Sequence, residues 1–337
     1  MRIAIDAMGG DGAPAVEVRG AIEAVAQDET NTRVVLVGDE AVLREELSRQ
    51  GAEGTPEITI EHAPEQIEMG EDPARQVRRK RDASIVVATR LLKEGAVDGL
   101  VSAGNTGAVV ASSLFLLGRL EGVRRPAIAT FVPTNTGGAI ILDVGATSDC
   151  TPQHLLQFGV MGAIYARRVL GRAEAKVGLL NIGEESSKGN SLVRGTYPLL
   201  QESSLNFIGN VEGRDIFQGG ADVVVTDGFT GNIVLKFSES VIHLVTSLIR
   251  EEVGDDLRRR FGAVLMRPVF RSLSQQLDYA EYGGAPLLGV NGAVIIAHGS
   301  SSPKAIRNAV LVAARFAREG INDHIRNELQ GQCLGNA

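Results

Sequence analysis

Gly99-Leu-Val-Ser-Ala-Gly-Asn-Thr-Gly107, followed by the apolar run Ala108–Leu117, decides how the rest of the chain is read. A short strand-like segment, Gly99–Val101, stops in a loop of small polar residues, and that loop opens a helix beside Asn105 and Thr106. The same pattern recurs along the chain. Ile3–Ile5 runs into Asp6-Ala-Met-Gly-Gly-Asp11, Ala139–Leu142 into Asp143-Val-Gly-Ala-Thr147, and Val177–Leu180 into Asn181-Ile-Gly-Glu-Glu-Ser186. Val223–Val225 runs into Thr226-Asp-Gly-Phe-Thr-Gly-Asn232, and Ala293–Ala297 into His298-Gly-Ser-Ser-Ser302. Strands alternating with helices predict an α/β fold built on a doubly wound, mostly parallel sheet. Loops leaving the carboxyl ends of such strands converge on one crevice. Their backbone N–H groups suit an anionic oxygen, so a crevice lined by these loops predicts a site for a phosphate-bearing molecule.

Helices are predicted near Pro14–Ala26, Glu40–Arg49, Ala74–Arg79, Ser84–Glu94, Gly107–Leu117, Pro152–Leu170, Ser191–Glu202, Gly231–Glu252 and Pro303–Ile325. Asp72-Pro73 is a good helix start, a capping carboxylate followed by proline at the first helical position. With no linker-like composition, residues 1–337 are expected to form a single α/β domain. The stretch 248–282 breaks the rhythm and is expected to be a helical insertion, without strand signal and with a kink or restart at Pro268. Its apolar row Phe261, Val264, Leu265, Val269, Leu273 and Leu277 lies among Arg258, Arg259, Arg260, Arg267 and Arg271. That row fits either contact with a twin subunit or contact with an anionic membrane surface.

Composition excludes several classes. A net charge of −7 and the absence of Trp argue against nucleic-acid binding, which needs a basic surface and stacking platforms. Two cysteines, Cys150 and Cys333, form neither metal spacing nor a disulfide framework, as expected in a reducing cytoplasm. The histidines show no ligand spacing, so no metal is expected. The N-terminus has no signal-peptide pattern, and the longest apolar stretch, Ala108–Leu117, is too short for a span of about 20 residues.

Within the loops, Ser102, Asn105, Asn232 and His298 are candidate catalytic groups as hydrogen-bond donors or acids, and Lys188 is a candidate cation for phosphate. Asp6, Gly9, Gly10, Thr106, Asp143, Asn181, Glu184, Glu185, Asn190, Asp227 and Thr230 are candidate substrate-binding residues. Gly9-Gly10 would let the backbone approach an anion closely. Arg75, Arg78 and Arg79 share a helix face and, with Arg258, Arg259 and Arg260, offer basic patches on an acidic protein for an anionic partner. Phe261, Val264 and Leu265 are the candidate membrane contacts. The chain has no Gly-x-Ser-x-Gly elbow and no Walker-type loop. A site rich in anion donors without an evident nucleophile points to phosphate itself as the attacking group.

Taken together and in order, these loops resemble the bacterial phosphate acyltransferase family. The matching stretches include Ile5-Asp-Ala-Met-Gly-Gly-Asp11, Arg78-Arg-Lys-Arg-Asp-Ala-Ser84, Val101-Ser-Ala-Gly-Asn-Thr-Gly-Ala108, Asn181-Ile-Gly-Glu-Glu185 and Thr226-Asp-Gly-Phe-Thr-Gly-Asn232. Tyr282-Gly-Gly-Ala285 and Ala297-His-Gly-Ser300 extend the match almost to the C-terminus. Gly12 and Ala146-Thr-Ser148 depart from the usual pattern. The resemblance implies an αβα sandwich similar to phosphotransacetylases and isopropylmalate dehydrogenases, a homodimer, no cofactor, and a cytoplasmic enzyme loosely attached to the membrane. It also implies reversible formation of acyl phosphate from acyl-[acyl carrier protein] and inorganic phosphate, with delivery to a membrane glycerol-3-phosphate acyltransferase. Three alternatives stay open at this stage: an acyl-CoA-dependent phosphotransacetylase, a nicotinamide-dependent dehydrogenase, and a non-enzymatic membrane-associated scaffold.

Overall fold

A computed structural model describes residues 1–27, 31–254, 256–270 and 282–334. Its strands are β1 (Arg2–Asp6), β2 (Arg33–Gly38), β3 (Ile58–His62), β4 (Gly99–Ser102), β5 (Ala127–Ile128), β6 (Thr130–Val132), β7 (Ala139–Leu142), β8 (Lys176–Leu180), β9 (Asn206–Val211), β10 (Val223–Val225), β11 (Ala285–Leu288) and β12 (Ala293–Ile296). Where one sheet was expected there are two, ordered β3-β2-β1-β4-β12-β11-β5 and β6-β7-β10-β8-β9. Most pairings are parallel; β11 runs antiparallel to β12 and β5, and β6 antiparallel to β7. The chain crosses from the first sheet to the second at Ala129, between β5 and β6.

The Val and Ile runs that read as strands are buried on both faces, as parallel strands under helices must be. Ile3 and Ile5 pack with Val18 and Ala21 of helix Ala15–Gln27 and with Ile306 and Val310 of helix Pro303–Arg318. Ala4, between them, faces the opposite layer with Val86 and Val87 of helix Ser84–Lys93. This period-2 division makes the first sheet the middle layer of a sandwich. In the second sheet, Ile140, Leu142, Val177 and Val223 pack on Phe158 and Met161 of helix Pro152–Val169. Ile141 and Val224 share a core instead with Leu100, Val294 and Ile296 of the first sheet, so the sheets are packed together.

Helix ends follow local capping chemistry. The long helix Gly228–Val253 starts earlier than predicted because Asp227 is its cap, accepting from Thr230 N at 2.9 Å. The last predicted helix is divided at Gly320, whose positive φ separates Pro303–Arg318 from Ile321–Leu334. Helix Thr106–Ser112 widens into a π-type turn, Ser113–Leu117, before Gly118 ends it. In the expected insertion, helix Leu257–Leu265 is capped by Asp256, and helical backbone resumes at residues 267–270 after a turn at Met266, at Pro268 as expected. Arg271, Leu273 and Leu277 lie outside the described residues. Gly228–Val253, at 26 residues, is long and apolar enough to cross a membrane by length and composition, which the reading of Ala108–Leu117 as the longest apolar segment missed.

Candidate active site

Two loop clusters lie at the carboxyl ends of strands, one at β1, β4 and β12, the other at β7, β8 and β10, and they come into contact through Lys236 and His298. In the first, Asp6 is buried and its Oδ2 accepts the Ser102 hydroxyl at 2.7 Å, while Ser102 Oγ accepts Gly104 N at 3.1 Å. Burial pushes the Asp6 carboxyl up, against hydrogen bonds from Ser84, Ser102 and the Met8 N–H. Ser102 is wholly buried, so its hydroxyl is spent on Asp6 beneath the crevice instead of facing a substrate. Asn105 is similarly occupied: its Oδ1 caps the helix at Ala108 N, 3.1 Å, and its Nδ2 donates to Glu68 O and Met69 O. Both residues shape the loop that presents exposed Thr106.

The Gly9-Gly10 loop is not the open cradle expected. A Cβ on Gly9 would lie 2.7 Å from Gly104 Cα, and one on Gly10 would run into Glu17 Oε1. These glycines therefore serve close packing of loop against loop and loop against carboxylate. Glu17 is pushed up to about 7, chiefly by burial, with Asp6 and Asp11 adding negative charge nearby. The loop thus carries carboxyl groups and no cationic side chain of its own.

Asp143, a candidate substrate ligand, is engaged by backbone. It is fully buried, and its carboxylate accepts the N–H groups of Ile128 (2.8 Å), Gly145 (3.1 Å), Ala146 (3.0 Å) and Thr147 (2.6 Å). Burial raises its carboxyl, and those four N–H groups pull the other way. Asp143 thus organises the loop on which the long helix begins; a Cβ at Gly228 would lie 2.5 Å from its Oδ2. Asp227 accepts both the N–H and the hydroxyl of Thr230, so these two residues form a cap. Exposed Asn232 ties the helix to the loop through Nδ2 and Val144 O at 2.9 Å.

Asn181 closes the loop after β8, accepting from Ile182 N and donating to Lys188 O. Asn190 caps helix Ser191–Gln201 at Val193 N. Glu184, Glu185 and Lys188 are exposed. Their loop is held from beneath by Asn210 Nδ2 on β9, which donates to Glu184 O and Glu185 O. Asn210 was not singled out in the sequence, because nothing in its surroundings distinguishes it from an ordinary strand residue.

A side-chain contact bridges the clusters. Lys236 Nζ, on the long helix, lies 3.2 Å from His298 Nε2 in the loop after β12 and 3.1 Å from Glu239 Oε2. His298 Nδ1 is 2.8 Å from Ser300 Oγ. Lys236 was passed over as a site residue, yet its position one turn beyond Asn232 was a usable signal.

The proposed patches are separate. Arg75, Arg78 and Arg79 are exposed on helix Pro73–Arg79, with the Arg78 guanidinium 4.5 Å above the Phe115 ring. Arg258, Arg259 and Arg260 are exposed on the other helix, where Arg259 reaches back to the Glu252 carboxylate. Phe261, Val264 and Leu265 are each about two-thirds exposed, at 68%, 65% and 66%. Phe229, Ile233, Phe237, Leu244 and Leu248 of the long helix are exposed as well.

The chain is 52% identical over 337 residues, 99% of this chain and 100% of the relative, to a phosphate acyltransferase of Heliobacterium modesticaldum. It is 53% identical over 330 residues, 98% of each chain, to a phosphate acyltransferase of Desulfitobacterium hafniense strain DSM 10664 / DCB-2. Among solved structures, the fold is similar to a Streptococcus pyogenes phosphotransacetylase (TM-score 0.63, 18% identity, 95% of this chain and 94% of that one). The EutD phosphotransacetylase from Staphylococcus aureus is comparable (TM-score 0.61, 18% identity, 94% of each chain). The Fatty acid synthesis protein family model matches residues 1–324, and the chain belongs to that family.

Proposed function

We propose that the chain is a phosphate acyltransferase that forms acyl phosphate from acyl-[acyl carrier protein] and inorganic phosphate, reversibly. The observation that carries this reading is the end-to-end identity of about half the residues with phosphate acyltransferases. The phosphotransacetylase-like fold and the two polar loop clusters agree with it. A phosphate oxygen attacks the thioester carbonyl, a tetrahedral oxyanion forms, and the C–S bond breaks. Lys188 is our candidate for the phosphate cation, exposed on the densest polar loop. Asn232 and Thr106 are exposed at the crevice as candidate donors to substrate oxygens.

The acidic carrier would dock on the Arg75, Arg78 and Arg79 helix or on Arg258, Arg259 and Arg260, since a protein of net charge −7 needs a local basic patch for that encounter. A homodimer, peripheral contact with anionic membrane through Phe261, Val264 and Leu265, and delivery to a membrane glycerol-3-phosphate acyltransferase complete the proposal. The test is direct. Purified protein is given phosphate and either acyl-[acyl carrier protein] or acyl-CoA, and acyl phosphate is trapped with hydroxylamine. Product from the carrier protein and little from acyl-CoA is expected; equal rates from both would favour the phosphotransacetylase alternative, and none from either refutes the enzyme reading. Lys188→Ala is expected to raise the KM for phosphate, and unchanged turnover at limiting phosphate would remove it from the site.

A further inference from the structure

We propose that Lys236 and His298 form a proton relay that carries the proton of the attacking phosphate to the departing thiol. This deepens the acyl-transfer reading and rests on it. Monohydrogen phosphate and a thioester give an acyl phosphate and a thiol: one C–O bond forms, one C–S bond breaks, and the phosphate's proton ends on sulfur. Nucleophile and leaving group occupy different positions about the carbonyl, so the proton needs a carrier between them.

The contact between Lys236 Nζ and His298 Nε2, 3.2 Å, lies where the two loop clusters meet. A count of hydrogens shows why this pair can pass a proton on. His298 Nδ1 lies 2.8 Å from Ser300 Oγ and 3.2 Å from Ser300 N, whose N–H it accepts in the geometry shown. A neutral imidazole carries one N–H and one acceptor nitrogen, so the two sides of the ring are coupled. If Lys236 is an ammonium donating to Nε2, the ring proton sits on Nδ1 and points at Ser300 Oγ. If Nδ1 accepts the Ser300 N–H, the proton sits on Nε2 and points at a neutral Lys236 amine. Ser300 serves either arrangement, with its hydroxyl as acceptor in one and its N–H as donor in the other. Glu239 Oε2 lies 3.1 Å from Lys236 Nζ, a carboxylate neighbour of the amine. Asp11 donates its N–H to Gly299 O in the same loop as His298. Lys236 and His298 are both exposed, within reach of a molecule entering the crevice.

The experiment uses two thioesters of the same acyl chain, one on the pantetheine arm of the acyl carrier protein and one of a thiophenol, with the full-length protein. An aryl thiolate leaves readily without a proton, whereas an alkyl thiolate benefits from one. His298→Gln and Lys236→Met are each expected to lower kcat with the pantetheine thioester by about 100-fold or more, and with the aryl thioester by less than about 5-fold. Lys236→Arg keeps the positive charge but cannot yield a proton, and it is expected to show the same dependence on the leaving group. The double variant is expected to lose no more than the worse single, because both residues handle one proton. Equal losses on both thioesters, or near-normal activity in Lys236→Arg, would overturn the relay and leave the pair a positioning contact. If the wild-type protein makes acyl phosphate from neither thioester, the acyl-transfer reading fails and the relay fails with it.

Discussion

Replacing Asp143 with asparagine separates a loop organiser from a substrate ligand. Its Oδ1 accepts three N–H groups, from Ile128, Gly145 and Ala146, and its Oδ2 accepts the shortest, from Thr147 at 2.6 Å. An asparagine that keeps its carbonyl oxygen on the first three must turn its NH2 toward the Thr147 N–H. One hydrogen bond to a charged group is lost, about 1.5–3 kcal/mol, and one buried N–H is left unpaired, about 1–3 kcal/mol. The two costs overlap, and removing a buried charge offsets part of them, so a net loss of about 2–4 kcal/mol is expected. Urea unfolding of Asp143→Asn at neutral pH measures the loss, and steady-state kinetics measure acyl phosphate formation beside it. Activity should fall together with stability, because the loop that Asp143 holds also receives Asn232 through Val144 O. Full stability with lost turnover would mean that Asp143 touches the substrate, and the organiser reading would be wrong.

Other outcomes follow from neighbouring features. The folded protein prefers Glu17 neutral, so its contribution is fully present below pH 4.5 and is lost as pH rises through about 7, on the order of 3 kcal/mol in all. Glu17→Gln should remove that slope from a plot of Tm against pH; an unchanged slope refutes the assignment. Gly9→Ala puts a methyl 2.7 Å from Gly104 backbone and should cost about 1–3 kcal/mol, whereas Gly70→Ala, with open space around it, should unfold like the parent. Val264→Glu with Leu265→Glu should abolish cosedimentation with anionic vesicles while the sedimentation coefficient stays unchanged. Dissociation of an assembly in that variant would place the row inside a subunit interface.

What could be read from the sequence was local. Asn105, Asn190 and Asp227 cap the helices that follow them, because a side-chain oxygen next to a helix start binds N–H groups only a few residues away. The Val and Ile runs marked the inner strands because a strand covered on both faces is apolar throughout. The division into two sheets was not legible, since it turns on β5 and β6, of two and three residues, separated by Ala129 alone. Site chemistry was legible as a set of loops but not as a set of roles. Ser102 and Asp143 look like exposed donors and ligands in sequence, and only packing shows them turned inward. Lys236 and His298 are 62 residues apart, and no periodicity connects them.

The long helix gives the crevice a handle. It begins at the Asp227 cap, carries Lys236 a little over two turns later, and extends to Val253 with an apolar row facing outward. Twenty-six residues make a rod of about 39 Å. Whatever covers the row, a lipid surface or another chain, therefore grips the same rigid body that sets the Lys236–His298 distance. Thermodynamic reciprocity then applies: an occupant that favours one setting of the rod changes affinity in the crevice, and a filled crevice changes the occupant's affinity by the same factor.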